Sequence, residues 1–125
     1  MTPYLLIGLG GAIGAMLRYA VQSSIGSLSN GFPLATLLIN ILGSAAMGVL
    51  VAALARSTPQ FQNEIRLFVA VGLFGGFTTF SSFSLDTITM MERGDIMLAA
   101  LYVLGSVALS VAGLAMGLWA VRVTA

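Results

Sequence analysis

Residues 72–84 read GLFGGFTTFSSFS, and they lie inside a long apolar stretch. A membrane-crossing helix normally avoids paired glycines and clustered hydroxyls at its centre. Here Gly75-Gly76 is followed by Thr78, Thr79, Ser81, Ser82 and Ser84, with Phe77, Phe80 and Phe83 between them. Glycine takes non-helical dihedrals at no steric cost, so the pair marks a place where a helix can break. A break leaves carbonyls and amides without intrahelical partners. At membrane depth such groups are tolerated only when buried in protein or lining a cavity, and broken helices often use them to bind ions. Gly75 lies close to the midplane of its span. Two readings stand side by side here. One is a simple kink whose loose groups Thr78 and Thr79 satisfy. The other is an ion site whose carbonyls suit a cation such as sodium.

The rest of the chain supports lipid as the solvent. Of 125 residues, 58% are hydrophobic and only 7% charged, against about 25% charged in soluble domains. Mean hydropathy is +1.04. There is no Lys, His or Cys, which removes disulfides, thiolate chemistry, histidine metal sites and histidine-based triads. Four carboxylates remain. A net charge of +1 offers no basic surface for nucleic acid. Enzyme readings are poor on this inventory. The N-terminal MTPYLLIGLGG carries no basic residue before its apolar run, so it reads as a retained first helix and not as a signal peptide.

Charges and turn residues divide the chain into four spans, over about 4–25, 33–55, 65–91 and 96–123. Each exceeds the roughly 20 residues needed to cross hydrocarbon. Gly26 to Gly31 reads as a loop, Pro33 suits the first turn of span two, and Glu92-Arg93-Gly94-Asp95 reads as a turn. The expected fold is therefore a single all-α membrane domain with its third helix broken near the middle. Four spans put both termini on one side. Arg56, Arg66 and Arg122 then lie on the terminal side and Arg18 and Arg93 on the other. Orientation follows such asymmetry, and three against two gives almost no instruction. Charge alone fits both a protein oriented by other signals and dual topology with copies paired antiparallel. Gly10 with Gly14, Gly113 with Gly117, and Ser44 with Gly48 are small-residue pairs that permit close helix contact in lipid. Four thin helices enclose little volume, so a pathway calls for a second copy.

Polar residues inside a bilayer are costly and often functional. Thr36, Asn40 and Ser44 recur every four residues on span two, and Tyr102, Ser106 and Ser110 on span four. A lone Asn commonly glues helices together, and a serine can return its hydroxyl to the carbonyl four residues back. On span three Thr79, Ser82 and Asp86 share a narrow stripe flanked by Phe80 and Phe83. Asp86 is the one carboxylate well inside a span, although it is near enough to Glu92 to reach headgroups. Phenylalanine rows are more often packing than ligand site. Together, hydroxyls, an amide and electropositive ring edges are donors without full charge. Such a lining strips water from an anion without trapping it. The residues point to a narrow polar pathway and do not name the ion.

GGAIGAMLRY (10–19), NILGS (40–44) and GLFGGFTTFSSFS (72–84) together resemble the small fluoride channels called Fluc or CrcB. Order, spacing and the four-span layout agree along essentially the whole chain. The resemblance implies an antiparallel, dual-topology homodimer with two fluoride pathways in a bacterial inner membrane. By similarity, Asn40 donates to fluoride and Phe80 and Phe83 supply the ring edges. Thr79, Ser82 and Asp86 lie on or beside a polar track, with Thr36 near its entrance. Ser110, with Tyr102 and Ser106 nearby, faces it from span four. The carbonyls of Gly75 and Thr78 look like ligands of a central structural sodium shared by two copies. Arg18 resembles the family's arginine at the end of span one, and reads as vestibule residue or snorkelling anchor. Family members often carry Glu where this chain has Asp86, one methylene shorter. The physiological logic is acid chemistry: HF enters unaided, dissociates in a near-neutral cell, and a negative-inside potential drives the anion out through a passive pore.

Two other classes compete. A small proton-coupled multidrug exporter is also four-span and dual-topology, but it needs a titratable carboxylate in its substrate cavity, typically on span one, where this chain has none. A non-transporting assembly subunit makes no use of Asn40 or of the span-three stripe.

Overall fold

Helices form wherever apolar residues run without interruption, and stop where Gly, Pro and charge collect. The computed structural model describes residues 2–26 and 30–124. Helix α1 spans Thr2–Ile25 and α2 spans Leu34–Ser57. The third span, Gln62–Glu92, is assembled from α3 (Gln62–Ile65), a π-helical stretch (Arg66–Phe74), α4 (Gly75–Phe77) and α5 (Phe80–Glu92). Helix α6 spans Ile96–Val123. All four spans are long and apolar enough to cross a membrane, and no strand occurs among the described residues.

The connections differ slightly from expectation. Pro33 sits just before α2, with ψ of 58°, rather than in its first turn. Of the expected first loop, Ser27, Leu28 and Ser29 lie outside the described residues. Asn30 and Gly31 take positive φ (47° and 89°), the region that favours Asn and Gly. The third span starts three residues earlier than the sequence suggested. Helix α2 ends at Thr58, whose amide N–H bonds the Leu54 carbonyl at 3.1 Å. Arg56 donates to the Val121 carbonyl and ties the ends of α2 and α6 together. Basic residues in these last turns also complement the helix dipoles.

Glycines decide the partners. A Cβ on Gly10 or Gly14 would overlap the backbone of Phe68 or Leu73, and one on Gly76 would overlap the Gly11 carbonyl. These contacts seat α1 against the π-helical stretch and α4. On the other side, Gly48 meets Leu114 while Gly117 meets Ala45, and this backbone approach joins α2 to α6. Both GxxxG pairs therefore lie at helix contacts, as small residues do in lipid. The break in the third span separates two jobs. Its first half packs on α1, and α5 leans on α6.

The π-helical stretch has no counterpart in the sequence reading. Such wider winding is rare and recurs at functional sites. Phe68 and Gly72 within this stretch, and Gly76 in α4 just after it, approach α1 at four-residue intervals. Little apolar surface is buried within the chain: Phe83, Met90, Ala99 and Tyr102 form the core cluster, with Phe32, Leu37 and Val103 against it. Leu5, Leu9, Met16, Leu104, Met116 and Trp119 all point outward, as lipid-facing residues do.

Candidate functional site

The third span does not open at the Gly75-Gly76 pair, as the sequence suggested; those glycines stay helical in α4, and the span opens at the two residues after that helix. Thr78 (φ −75°, ψ 159°) and Thr79 (φ −154°, ψ 116°) are both extended between α4 and α5. Thr78 closes the first half, since its amide and its hydroxyl each donate to the Phe74 carbonyl at 2.9 Å. Thr79 starts the second half as N-cap, with its Oγ1 accepting from the Ser82 amide at 3.1 Å. In an uninterrupted helix the Thr79 amide would bond the Gly75 carbonyl. Here it donates to Asn40 Oδ1 at 2.8 Å, and Asn40 Nδ2 donates to the Thr79 carbonyl at 3.0 Å. One side-chain amide thus satisfies both backbone groups of one extended residue, and the Gly75 carbonyl loses its helical donor. The Thr78 carbonyl accepts from Arg18 Nη1 at 3.3 Å. Arg18 therefore reaches inward to the break, and its guanidinium has a protein partner at membrane depth.

Beside the break lies a cavity of about 320 Å³, lined by Asn40, Ser44, Thr78, Thr79, Phe80, Phe83, Ser106, Val107, Ser110 and Val111. Six of the residues singled out from sequence for an anion pathway meet there: Asn40, Thr79, Phe80, Phe83, Ser106 and Ser110. Asn40 keeps its second Nδ2 hydrogen after clamping Thr79. The hydroxyls of Ser106 and Ser110 are buried and have no hydrogen-bond partner. That is unusual within this chain. Ser23, Ser24, Ser57, Ser84 and Thr87 all return their hydroxyls to the carbonyl four residues back, at 2.8–3.0 Å. An unmade hydrogen bond on a buried hydroxyl is expensive. Two of them stand on one wall of the cavity, with hydrogen-bonding capacity that the chain itself does not use. Phe83 is 9% exposed and Phe80 77%, with ring centroids 5.3 Å apart, so Phe80 stands at the open side.

The remaining candidates sit next to the cavity and do not line it. Ser82 and Ser81 bond the Thr79 hydroxyl, at 3.1 and 3.2 Å. The stripe of hydroxyls is thus partly consumed in capping α5. One turn beyond Phe83, Asp86 accepts a hydrogen bond from the Tyr102 hydroxyl at 3.1 Å. Thr36, buried on α2, lies beside the same hydroxyl. Tyr102 is 1% exposed and packs on Phe83, with centroids 5.3 Å apart. Asp86, half-buried, accordingly faces a phenol.

For sodium, the donor chemistry of the two named carbonyls fits. The Gly75 carbonyl is released by the turn of Thr79 toward Asn40, and the Thr78 carbonyl keeps a lone pair beside its Arg18 bond. Two neutral oxygens do not by themselves fill the shell of a hard cation. Ser44, read from sequence as part of the Thr36–Asn40–Ser44 row but not assigned to the pathway, lines the cavity. The Arg18–Thr78 bond had no local signal, because its partners are 60 residues apart.

Comparison with known proteins adds a family. Residues 5–118 match the family described as CrcB-like protein, Camphor Resistance (CrcB). A protein of Chelativorans sp. (strain BNC1) is 51% identical over 123 residues, covering 98% of each chain. One of Paracoccus denitrificans (strain Pd 1222) is 50% identical over 115 residues, covering 92% of this chain and 90% of its own. One of Rhodopseudomonas palustris (strain BisB5) is 48% identical over 120 residues, covering 95% and 96%. All three carry the name fluoride-specific ion channel FluC.

Proposed function

The chain belongs to the CrcB-like family, and from that premise we propose that it is a passive, fluoride-selective channel of the bacterial inner membrane. The observation that carries this reading is the cavity wall on which Ser106 and Ser110 present unpartnered hydroxyls opposite Asn40 and the Phe80–Phe83 rings. Fluoride is small and accepts strong hydrogen bonds. It gains most from closely spaced neutral donors, and ring edges add positive potential without a charge that would hold it. Val107 and Val111 complete a lining too apolar for a hydrated ion.

A second copy, packed antiparallel, completes the pathway in this reading, giving two pores per dimer. Two features support it. Phe80 is left 77% exposed at the cavity mouth. Gly75 is exposed as well, and a Cβ there would meet nothing within its own chain closer than 3.9 Å. Close approach of another backbone gives that glycine a purpose. A structural sodium at the dimer centre would be held by the Gly75 and Thr78 carbonyls of both copies. It would neutralise four inward carbonyl dipoles. Flow is outward for the anion, because the membrane potential is negative inside.

The exporter reading has weaker support. Helix α1 carries no carboxylate, and the Asp86 carboxylate is already hydrogen-bonded to Tyr102. Purified protein in liposomes, followed with a fluoride electrode, tests the proposal. Rapid fluoride efflux with negligible chloride efflux is expected. Equal rates for the two anions would remove the selectivity, and transport requiring a pH gradient and Asp86 would favour the exporter.

A further inference from the structure

Beyond the cavity the aromatic contacts continue to the loop side. Phe80 packs on Phe83, Phe83 on Tyr102, and Tyr102 on Phe32, with centroids 5.3, 5.3 and 5.8 Å apart. The last contact is edge-to-face, with the rings at 84°. Phe32 belongs to the connection before α2 and not to any span. A short loop does not by itself hold a ring in place. Here its position is set from two sides. Its own carbonyl accepts from the Leu34 amide at 2.8 Å. The preceding Gly31 carbonyl accepts from Arg93 Nη2 at 3.2 Å, and Arg93 Nε pairs with Asp95 at 3.3 Å. Gly31 is needed for this: its φ is 89°, and a Cβ would press on Arg93 Nη1 at 3.1 Å. The turn after the third span therefore latches the loop before the second.

We propose that Phe32, held by the Arg93 latch, is a positioning residue for the ion pathway: it confines the Tyr102 phenol between two rings so that the hydroxyl stays on Asp86. This rests on the channel reading above. The physical reason is electrostatic. Asp86 sits one turn beyond Phe83, toward the loop side, and in the channel reading it borders the route of the ion. While Tyr102 donates to it, one carboxylate oxygen is covered by a proton donor. If the phenol swings away, a bare carboxylate faces the route of an anion, and like charges repel strongly where water is scarce. Phe83 blocks the swing toward the cavity. Phe32 blocks it toward the loop.

The test compares Phe32→Leu, Phe32→Tyr and Arg93→Gln by fluoride efflux from liposomes. Phe32→Leu keeps an apolar side chain but loses the ring. Efflux is expected to fall about two- to tenfold, the shift that loss of one edge-to-face contact allows. Phe32→Tyr keeps the ring and should retain wild-type efflux. Arg93→Gln leaves every contact within the spans intact and should lower efflux in the same direction. It decides the matter if Phe32→Leu does not fold. Wild-type efflux in Phe32→Leu overturns the proposal, as does an equal loss in Phe32→Leu and Phe32→Tyr, or wild-type efflux in Arg93→Gln. Absence of fluoride efflux from the wild-type protein is a different result, and it sinks the channel reading instead.

Discussion

Replacing Asn40 with Ala removes both hydrogen bonds that hold the break. Within bilayers an interhelical hydrogen bond contributes roughly 0.6–1.7 kcal/mol, so the pair contributes about 1–3 kcal/mol. Thr79 is 6% exposed, so its amide would stay buried without an acceptor. That adds about 1–2 kcal/mol. The total, about 2–5 kcal/mol, raises the population of an unclamped break about 30-fold or more. Asn40→Asp keeps an acceptor for the Thr79 amide but sets a carboxylate oxygen against the Thr79 carbonyl and a negative charge on the cavity wall, so it should also unfold earlier than wild type and pass no more fluoride than Asn40→Ala. Unfolding midpoints in detergent and fluoride-electrode efflux from liposomes give the two quantities. If Asn40→Ala unfolds at the wild-type midpoint and passes fluoride at the wild-type rate, the clamp has no energetic or functional role.

Ser106→Ala and Ser110→Ala remove hydroxyls that bond nothing inside the chain, so stability should be unchanged or slightly higher while fluoride efflux falls; a stability loss of about 1 kcal/mol or more would show that they are bonded in the folded protein. Gly14→Ala would drive a Cβ into the Leu73 carbonyl and should lower the unfolding midpoint clearly, whereas Gly8→Ala, with nothing within 4 Å, should leave it unchanged or raise it. Dialysis against potassium or a large organic cation, with the two-copy state followed by chromatography and efflux by electrode, checks the sodium proposal: both should decline, and indifference of both to sodium would exclude it. Phe80→Ile removes a ring that is 77% exposed in the single chain, so each copy should fold normally while efflux falls.

The four spans were legible because membrane insertion depends on local quantities. Twenty apolar residues cross hydrocarbon whatever follows them. A break in GLFGGFTTFSSFS was legible, but not its place: Gly75 and Gly76 stay helical in α4, Gly76 closing on Gly11, and the chain opens two residues on, at Thr78 and Thr79, where Asn40 takes up the freed backbone groups. Glycine spacing even marked the faces of α1 and α6 that make close contact. Boundaries slipped by a few residues because helix ends are set by capping and tertiary contact.

What composition and spacing could not decide was which polar groups are spent and which are left over. Ser84 and Ser106 look alike in sequence, two serines in two apolar helices. One returns its hydroxyl to the chain, and the other is buried in a cavity wall with none of its bonds made. The difference lies in what packs around each. Asn40 read equally well as glue and as pathway lining. Its bonds to Thr79, 39 residues away, make it a clamp that also borders the cavity. Arg18 read as an anchor or a vestibule residue, and its contact is a carbonyl freed by the break. Hydrophobicity and glycine content act along the chain, so the sequence alone determined that this protein spans a membrane four times and breaks its third helix. Hydrogen-bond partners are chosen across the bundle, so only the tertiary structure decided that the break is held by Asn40 and that the Ser106 and Ser110 hydroxyls are left unbonded on the cavity wall.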